Sequence, residues 1–553
     1  PDNKDKKVDP SPVSNPAQAP APSASLTAAP AIAKPSELEE KQVAPPPKEV
    51  PQLPAKILEN EFIKVTISPN KGEIESIVLK KFLNADKKNN VTFDNSGQEP
   101  GALAVFGKQA WQLLNIKDAE QSSSKTYSVT REFALPKGER FILTQTWQIE
   151  KDYRIHYEIR IKNPGNAPIV IEELSVSVGW LPPTLHLSGD KIMGETHAID
   201  VFTLENNYVY FDAASKQETF NAPQDNPLKW LGLSNKYFAR ILMPDRPFRH
   251  GNTKERIELT APDKNGGIEK YFSANASGRL EESATINPDS EFVCKINYFS
   301  GPKELGLLKE LDESAAGSMH INWLPAWVPG ASLMEWLGQL MMKGLLYLKK
   351  ICGDYGLSII ALTIIVRLIF WPITQKANTS MRKMQKIQPM VQGLREKHKG
   401  DPAQLNAKIM ELYRQEKVNP FSGCLPIFLQ IPVFIALYSA LNSAVELRQV
   451  PFLWASDLSR PDVVGPLFFG FGLHPLIIAM TGLMLVQQKL QPSPGDPMQQ
   501  KIMMLMPLVM LVMLYDLPSG LTLYWTVSQI ISIIQIQINK AMAQKEERQG
   551  AVA

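Results

Sequence analysis

The chain has 553 residues, 44% hydrophobic and 21% charged, with a formal net charge of +3. That composition excludes wholesale disorder and a collagen-like repeat. So small a positive charge excludes a general nucleic-acid binder, so no DNA partner is expected, and three dispersed cysteines (Cys294, Cys352, Cys424) make neither a disulfide framework nor a zinc site.

Residues 1–55 carry 13 of the 44 prolines, Pro45, Pro46 and Pro47 in succession. Such a segment buries too little apolar area to offset its ordering entropy, and it reads as a disordered, proline-rich tether. A proline-rich recognition peptide is the alternative.

From residue 56 the period becomes two. Tyr153, Ile155, Tyr157, Ile159 and Ile161 alternate with Arg154, His156, Glu158 and Arg160; Leu174, Val176 and Val178 repeat the pattern, as do Phe292, Cys294, Ile296 and Tyr298. Alternation of this kind marks strands with one buried and one wet face. Over residues 56–325 it predicts an antiparallel β-sandwich domain, closed by a short helix near Lys303–Leu311.

Residues 331–352 change to a helical period. Leu333, Trp336, Leu337, Leu340, Met341, Tyr347 and Leu348 fall on one face, and Glu335, Gln339 and Lys343 on the other. This predicts an amphipathic helix lying in a membrane interface; the alternative is a soluble helix packed on the β domain.

Five apolar runs follow: Tyr355–Ile373, Phe421–Val445, one within Val463–Gln488, Ile502–Tyr515 and Leu517–Asn539. Residues 353–545 therefore read as an α-helical transmembrane bundle of five spans, each crossing needing ~20 residues. The fourth, at ~21 Å, is short for a ~30 Å core. The loop 374–420 carries ten Lys or Arg residues, far more than the loop after the second span. The positive-inside rule places that loop and the tail 546–553 in the cytoplasm and the β domain outside. An external domain needs an export signal, so an N-terminal hydrophobic segment ahead of Pro1 is expected.

Within residues 376–418, Met381, Met384, Ile387, Met390 and Leu394 recur at helical spacing, as do Leu405, Ile409, Leu412 and Tyr413 beyond Gly400. Asp401 with Pro402 and Gln404 is a helix-start signal. A cytoplasmic helical hairpin with a basic outer face is predicted. That face is either simply solvated or meets anionic membrane lipids or the ribosome.

No Gly-Lys followed by Ser or Thr, no histidine pair at metal-ligand spacing and no Gly-x-Ser-x-Gly elbow is present. No catalytic residue, metal or cofactor is expected, and the chain is not read as an enzyme. The one costly residue is Arg367, inside an apolar run, where arginine costs ~2.5–3.5 kcal/mol at mid-helix. Thr363 lies on the same helix face; Gln430, Tyr524, Ser528 and Gln529 are polar intrusions in other runs, and acidic residues are absent from them apart from Asp516 at a turn. Two readings fit. Arg367 faces a hydrated cavity as an anion-attracting group, or it snorkels toward the cytoplasmic headgroups.

These residues resemble the YidC family of membrane protein insertases. The resemblance rests on Ile364–Arg367 through Pro372; Lys417–Pro420, Gly423, Cys424, Leu425, Pro426, Gln430, Pro432, Leu437 and Tyr438; Val445–Arg448; Asp496–Gln500; Met506 and Pro507; and Pro518–Gly520 with Leu523 and Tyr524. It implies an inner-membrane chaperone and insertase for nascent membrane proteins, working alone or beside the Sec translocon. It implies a periplasmic β-supersandwich similar to sugar-mutarotase folds and largely dispensable for insertion, and an N-terminal anchor span ahead of these residues. It also implies a hydrophilic substrate groove containing Arg367, with Thr363, Gln430 and Tyr524 on its wall and Trp525 where the family usually has tyrosine. Two other classes are weighed. A transporter or channel lacks support from internal repeats or midplane acids; a membrane-anchored carbohydrate-binding protein would use the β domain.

Overall fold

Period-two alternation becomes sheet between Lys56 and Pro302. The computed structural model describes residues 50–84, 87–95, 99–118, 123–181, 198–205, 208–212, 226–262, 268–319, 330–398, 401–416, 425–466, 472–491 and 497–550. Most of the tether, the Lys417–Cys424 segment and Asp496 lie outside the described residues. Among the described residues the largest sheet has nine strands. From one edge they run Tyr208–Asp212, Ala198–Thr203, Leu228–Ser234, Phe238–Pro244, Glu291–Pro302, Arg154–Lys162, Arg140–Ile149, Thr126–Ala134 and Gln112–Asp118. Two four-stranded sheets complete the β-sandwich, one from Lys56–Glu59 to Asn90–Asp94 and one centred on Ile169–Leu181 and Ile268–Ile286.

The strand register explains the sequence pattern. Cys294, Ile296 and Tyr298 stand opposite Ile159, Tyr157 and Ile155, all buried. On the other face Arg160 pairs with Glu158 and Glu291. Large side chains fill the interior, with Trp147 stacked 5.4 Å from Tyr157. Cations are sunk in this core as well: Arg240, fully buried, reaches Asn95 Oδ1 at 2.9 Å and the Phe93 carbonyl at 3.3 Å. Such partners are what permit a buried guanidinium.

Helix α1 (Leu305–Leu311) and a 3-10 turn (Glu313–Met319) close the domain, where the sequence places a short helix. Helix α2 (Ala331–Cys352) follows. The apolar residues named from the sequence share one side of it, and a second apolar side lies opposite. Met342 and Leu345 are buried, while Leu333, Trp336, Leu340 and Tyr347 are exposed, with Lys343 also on the exposed side. The helix is apolar on two sides; the buried one packs on the helices next described.

Those are α3 (Tyr355–Lys386), α4 (Gln388–Lys397), α5 (Pro402–Gln415), α6 (Leu425–Ser443), α7 (Pro475–Leu490), α8 (Pro497–Met513) and α9 (Ser519–Gly550). α9 packs on α3 and α7, and α2 packs on α3 and α6. Among the described residues two helices are long and apolar enough to cross a membrane, α3 over Tyr355–Met384 and α9 over Ser519–Met542; α7 and Met503–Met513 of α8 are shorter apolar helices. Helices α6, α7 and α8 have 19, 16 and 17 residues. The run starting at Val463 opens with a two-stranded ribbon, Val464–Pro466 with Gly472–Leu473, and turns helical only at Pro475. Apolarity alone does not distinguish ribbon from helix.

The hairpin also starts differently. α3 continues unbroken to Lys386, and the chain breaks at Ile387 because Pro389 in the first turn of α4 cannot extend the preceding helix. α5 begins as the sequence indicates: the Asp401 carboxylate accepts from the Gln404 N–H at 3.0 Å, with Pro402 first in the helix. At the junction of β domain and bundle, Lys236 Nζ donates to Asn442 Oδ1 at 2.6 Å, Gln449 Nε2 donates to the Asn84 carbonyl at 2.8 Å, and Arg448 lies over Tyr237 and Phe238.

Candidate functional site

Helices α3, α6 and α9 bring one polar cluster together. Arg367 lies 12 residues into α3, ~18 Å from its start at 1.5 Å per residue. Its half-buried guanidinium turns sideways onto α9, where Nε donates to Ser528 Oγ at 2.7 Å and Nη2 also reaches that hydroxyl. That direction is set by a neighbour across the bundle, not by the helix end that snorkelling requires. Among the described residues no carboxylate pairs with Arg367, and no group of acid, histidine and cysteine side chains could hold a metal. The guanidinium keeps donors to spare, having five N–H groups.

Gln430 of α6 faces the same point. Its Nε2 stands 3.5 Å from both Tyr524 O–H and Ser528 Oγ, the outer limit of a hydrogen bond. Tyr524 and Ser528 are buried. Thr363 and Trp525, also expected in the groove, have contacts of their own. Thr363 is fully buried and its hydroxyl donates to the Ile359 carbonyl of its own helix at 2.6 Å, so its polarity is spent locally. Trp525 packs its ring 4.7 Å from Phe434, an aromatic contact between α6 and α9.

The polar face of α9 continues beyond Ser528. Ser532, Gln535 and Asn539 are buried along the same line, and Arg382 Nη1 donates to the Asn539 carbonyl at 2.6 Å. Gln535 Nε2 and Gln529 Oε1 are buried with no protein partner among the described residues. A buried amide without a partner is costly in an apolar bundle, so water or a bound peptide group is its natural complement. The spacing 528, 532, 535 and 539 is a single helix face and was readable as such; the residues escape notice because each alone passes for ordinary interhelical glue.

The apolar side chains point the other way. Ile364, Ile365, Leu368 and Ile369 of α3, and Ile530, Ile534 and Ile538 of α9, are exposed. A helix pair with a polar interior and an apolar exterior is suited to lipid.

Comparison with known proteins gives the following. The family model of the YidC periplasmic domain matches residues 57–325, and that of the 60Kd inner membrane protein matches residues 347–546. The membrane protein insertase YidC of Syntrophobacter fumaroxidans is 31% identical over 498 residues, 86% of this chain and 84% of the relative. That of Pelobacter propionicus is 38% identical over 320 residues, 57% of this chain and 55% of the relative. A crystal structure of an active YidC insertase with its first transmembrane domain resolved aligns over 88% of this chain and 94% of that chain, at 16% identity and a TM-score of 0.34.

Proposed function

The chain belongs to the YidC family of membrane protein insertases, and we propose that it receives substrate through the polar cluster around Arg367. It is an inner-membrane protein with a periplasmic domain, an insertase and not an enzyme, acting on nascent membrane proteins in contact with membrane lipids. The reading places five membrane crossings at α3, α6, α7, α8 and α9, with the hairpin α4–α5 and the end of α9 in the cytoplasm. The basic loop around the hairpin supports that orientation. It also makes the hairpin and tail the contact for a ribosome, with the Sec translocon as a further partner.

In this mechanism the polar outer segment of a substrate leaves water and meets Arg367, Ser528, Gln430 and Tyr524. Exchanging water for fixed donors lowers the desolvation barrier that bare hydrocarbon would impose. Arg367 acts as an anion-attracting donor at about 18 Å depth. The 16 residues of α7 and 17 of α8 span only ~24 Å and ~26 Å, which shortens the remaining path if the bilayer thins to match them. The substrate's apolar helix then moves into lipid, and its burial drives the process without a nucleotide.

The observation that carries this reading is a half-buried guanidinium bonded to a hydroxyl, with no paired carboxylate among the described residues. Photocrosslinkers at positions 430 and 524 test it against a ribosome-stalled nascent chain. Adducts to the polar segment of the substrate are expected from both. Adducts from lipid-facing Leu368 but neither interior position would place the substrate elsewhere.

A further inference from the structure

We propose that the loop joining α6 to α7 is a lipid-immersed wedge, its Leu453–Trp454 tip together with Val463 and Val464 lying among the acyl chains of the periplasmic leaflet. The inference rests on the spanning topology proposed above, which fixes the β-domain end of the bundle at the outer face.

The loop is held level with the ends of three helices. At the start of α9 the Ser519 N–H donates to the Arg460 carbonyl at 2.7 Å, the Gly520 N–H to the Leu458 carbonyl at 2.9 Å, and Ser519 Oγ to the Asp457 carbonyl at 2.9 Å. At the start of α7 the Leu476 N–H donates to Asp462 Oδ2 at 2.7 Å. At the start of α3 the Phe452 ring lies on Gly356, so closely that a Cβ there would come within 2.2 Å of it. Loop residues tied to these points sit at the depth where the helices leave the hydrocarbon.

The tip is shaped for that depth. Phe452 and Ala455 exchange N–H···O bonds of 2.8 and 3.0 Å, which makes Leu453 and Trp454 the two central residues of a tight turn. Leu453 has φ of +53°, a left-handed conformation that glycine or asparagine fills more readily, and it points a leucine outward. Leu453 is 70% exposed, Val463 58%, Trp454 49% and Val464 42%. Of the charges nearby, Asp457 and Asp462 are buried, and the partly exposed Arg460 places its Nε 3.6 Å from Asp457 Oδ2. Asp462 accepts the Trp454 indole N–H at 2.9 Å, so the ring keeps its polar atom satisfied within the protein while its apolar part faces out.

Such a patch on a water-facing loop is an association liability. At the membrane boundary it is a set of interfacial anchors, the position in which tryptophan is enriched. Lipid is chosen over a protein partner because the patch continues an apolar exterior that begins at the same level. Leu357, next to Gly356 in the first turn of α3, and Ile478, in the first turn of α7, are both exposed.

The test uses the full chain in phospholipid vesicles, with Cys352 and Cys424 replaced and buried Cys294 kept. Nitroxide labels are placed singly at 453, 454, 463 and 464, and collision with oxygen is compared with collision with a water-soluble nickel chelate. Oxygen collisions exceeding nickel at 453 and 464 are expected. Nickel exceeding oxygen means an aqueous loop, and low access to both means a protein cover; either result overturns the proposal. Labels at 368 and 369 on α3 separate the two failures. If they too favour nickel, the spanning topology is wrong; if they favour oxygen while the loop favours nickel, only the wedge is wrong. Asp462→Ala should raise nickel access at 454 by freeing the turn, and no change there also counts against the geometry.

Discussion

Replacing Arg367 by alanine removes the guanidinium beside Ser528 and leaves Ser528 without the donor now 2.7 Å away. A hydrogen bond to a charged group contributes about 1.5–3 kcal/mol. The Arg367 side chain is partly exposed, so some solvent screening remains and the lower end of that range applies. A substrate carboxylate entering the cluster therefore loses about 1.5 kcal/mol of stabilisation at its barrier, or roughly tenfold in rate. The assay is reconstituted insertion of a short single-span substrate, read by protease protection. Two versions of its outer tail are compared, one with acids and one with the matching amides. Arg367→Ala should slow the acidic version about tenfold and the amide version little. Arg367→Lys keeps the charge but not the planar fork, so it should fall between. Equal slowing of both tails would mean that Arg367 supports the bundle and does not greet substrate, and no slowing of either would refute the argument outright.

Other outcomes follow from particular contacts. Gly179 has φ of +88°, and a Cβ there would lie 2.5 Å from Arg240 Nη1 and 2.6 Å from Ala102 Cβ, so Gly179→Ala should destabilise the β domain by about 2–4 kcal/mol in denaturant titration. Gly138 has a similar φ of +90° with open space around it, and Gly138→Ala should cost only about 1–2 kcal/mol; equal losses would show that crowding at Gly179 is unimportant. Burial pushes the Lys303 ammonium down to about 7, with its Nζ donating to the Asn235 carbonyl at 2.8 Å. The unfolded chain then binds more protons than the fold between pH 7 and about 10.5, so stability should rise with pH across that window and be lost as pH falls back toward 7. Thermal unfolding of the β domain followed by near-UV circular dichroism should show that rise, and Lys303→Met should flatten it. Asp462→Ala removes a carboxylate that caps α7 from a distance and should cost about 0.5–2 kcal/mol, seen as faster proteolysis within residues 452–464.

The sequence by itself determined the pieces that are local. Strand faces were legible because side chains alternate with a fixed period of two, which is why Ile155, Tyr157 and Ile159 meet Tyr298, Ile296 and Cys294 as the alternation demands. The start of α5 was legible because a cap needs only Asp401, Pro402 and Gln404. The isolation of Arg367 among apolar neighbours was plain from composition alone. What only the tertiary structure decided is what each residue faces. That Arg367 turns onto Ser528, 161 residues away, depends on how α3 and α9 are rotated about their axes. Thr363, on the same helix face by spacing, instead spends its hydroxyl on its own backbone. The short reach of α7 followed from a ribbon that an apolar run conceals. The exposure of Leu453 and Trp454 followed from anchors on three separate helices. Period and composition are properties of neighbours along the chain, whereas orientation and burial are properties of neighbours in space, and those are fixed only when the helices pack.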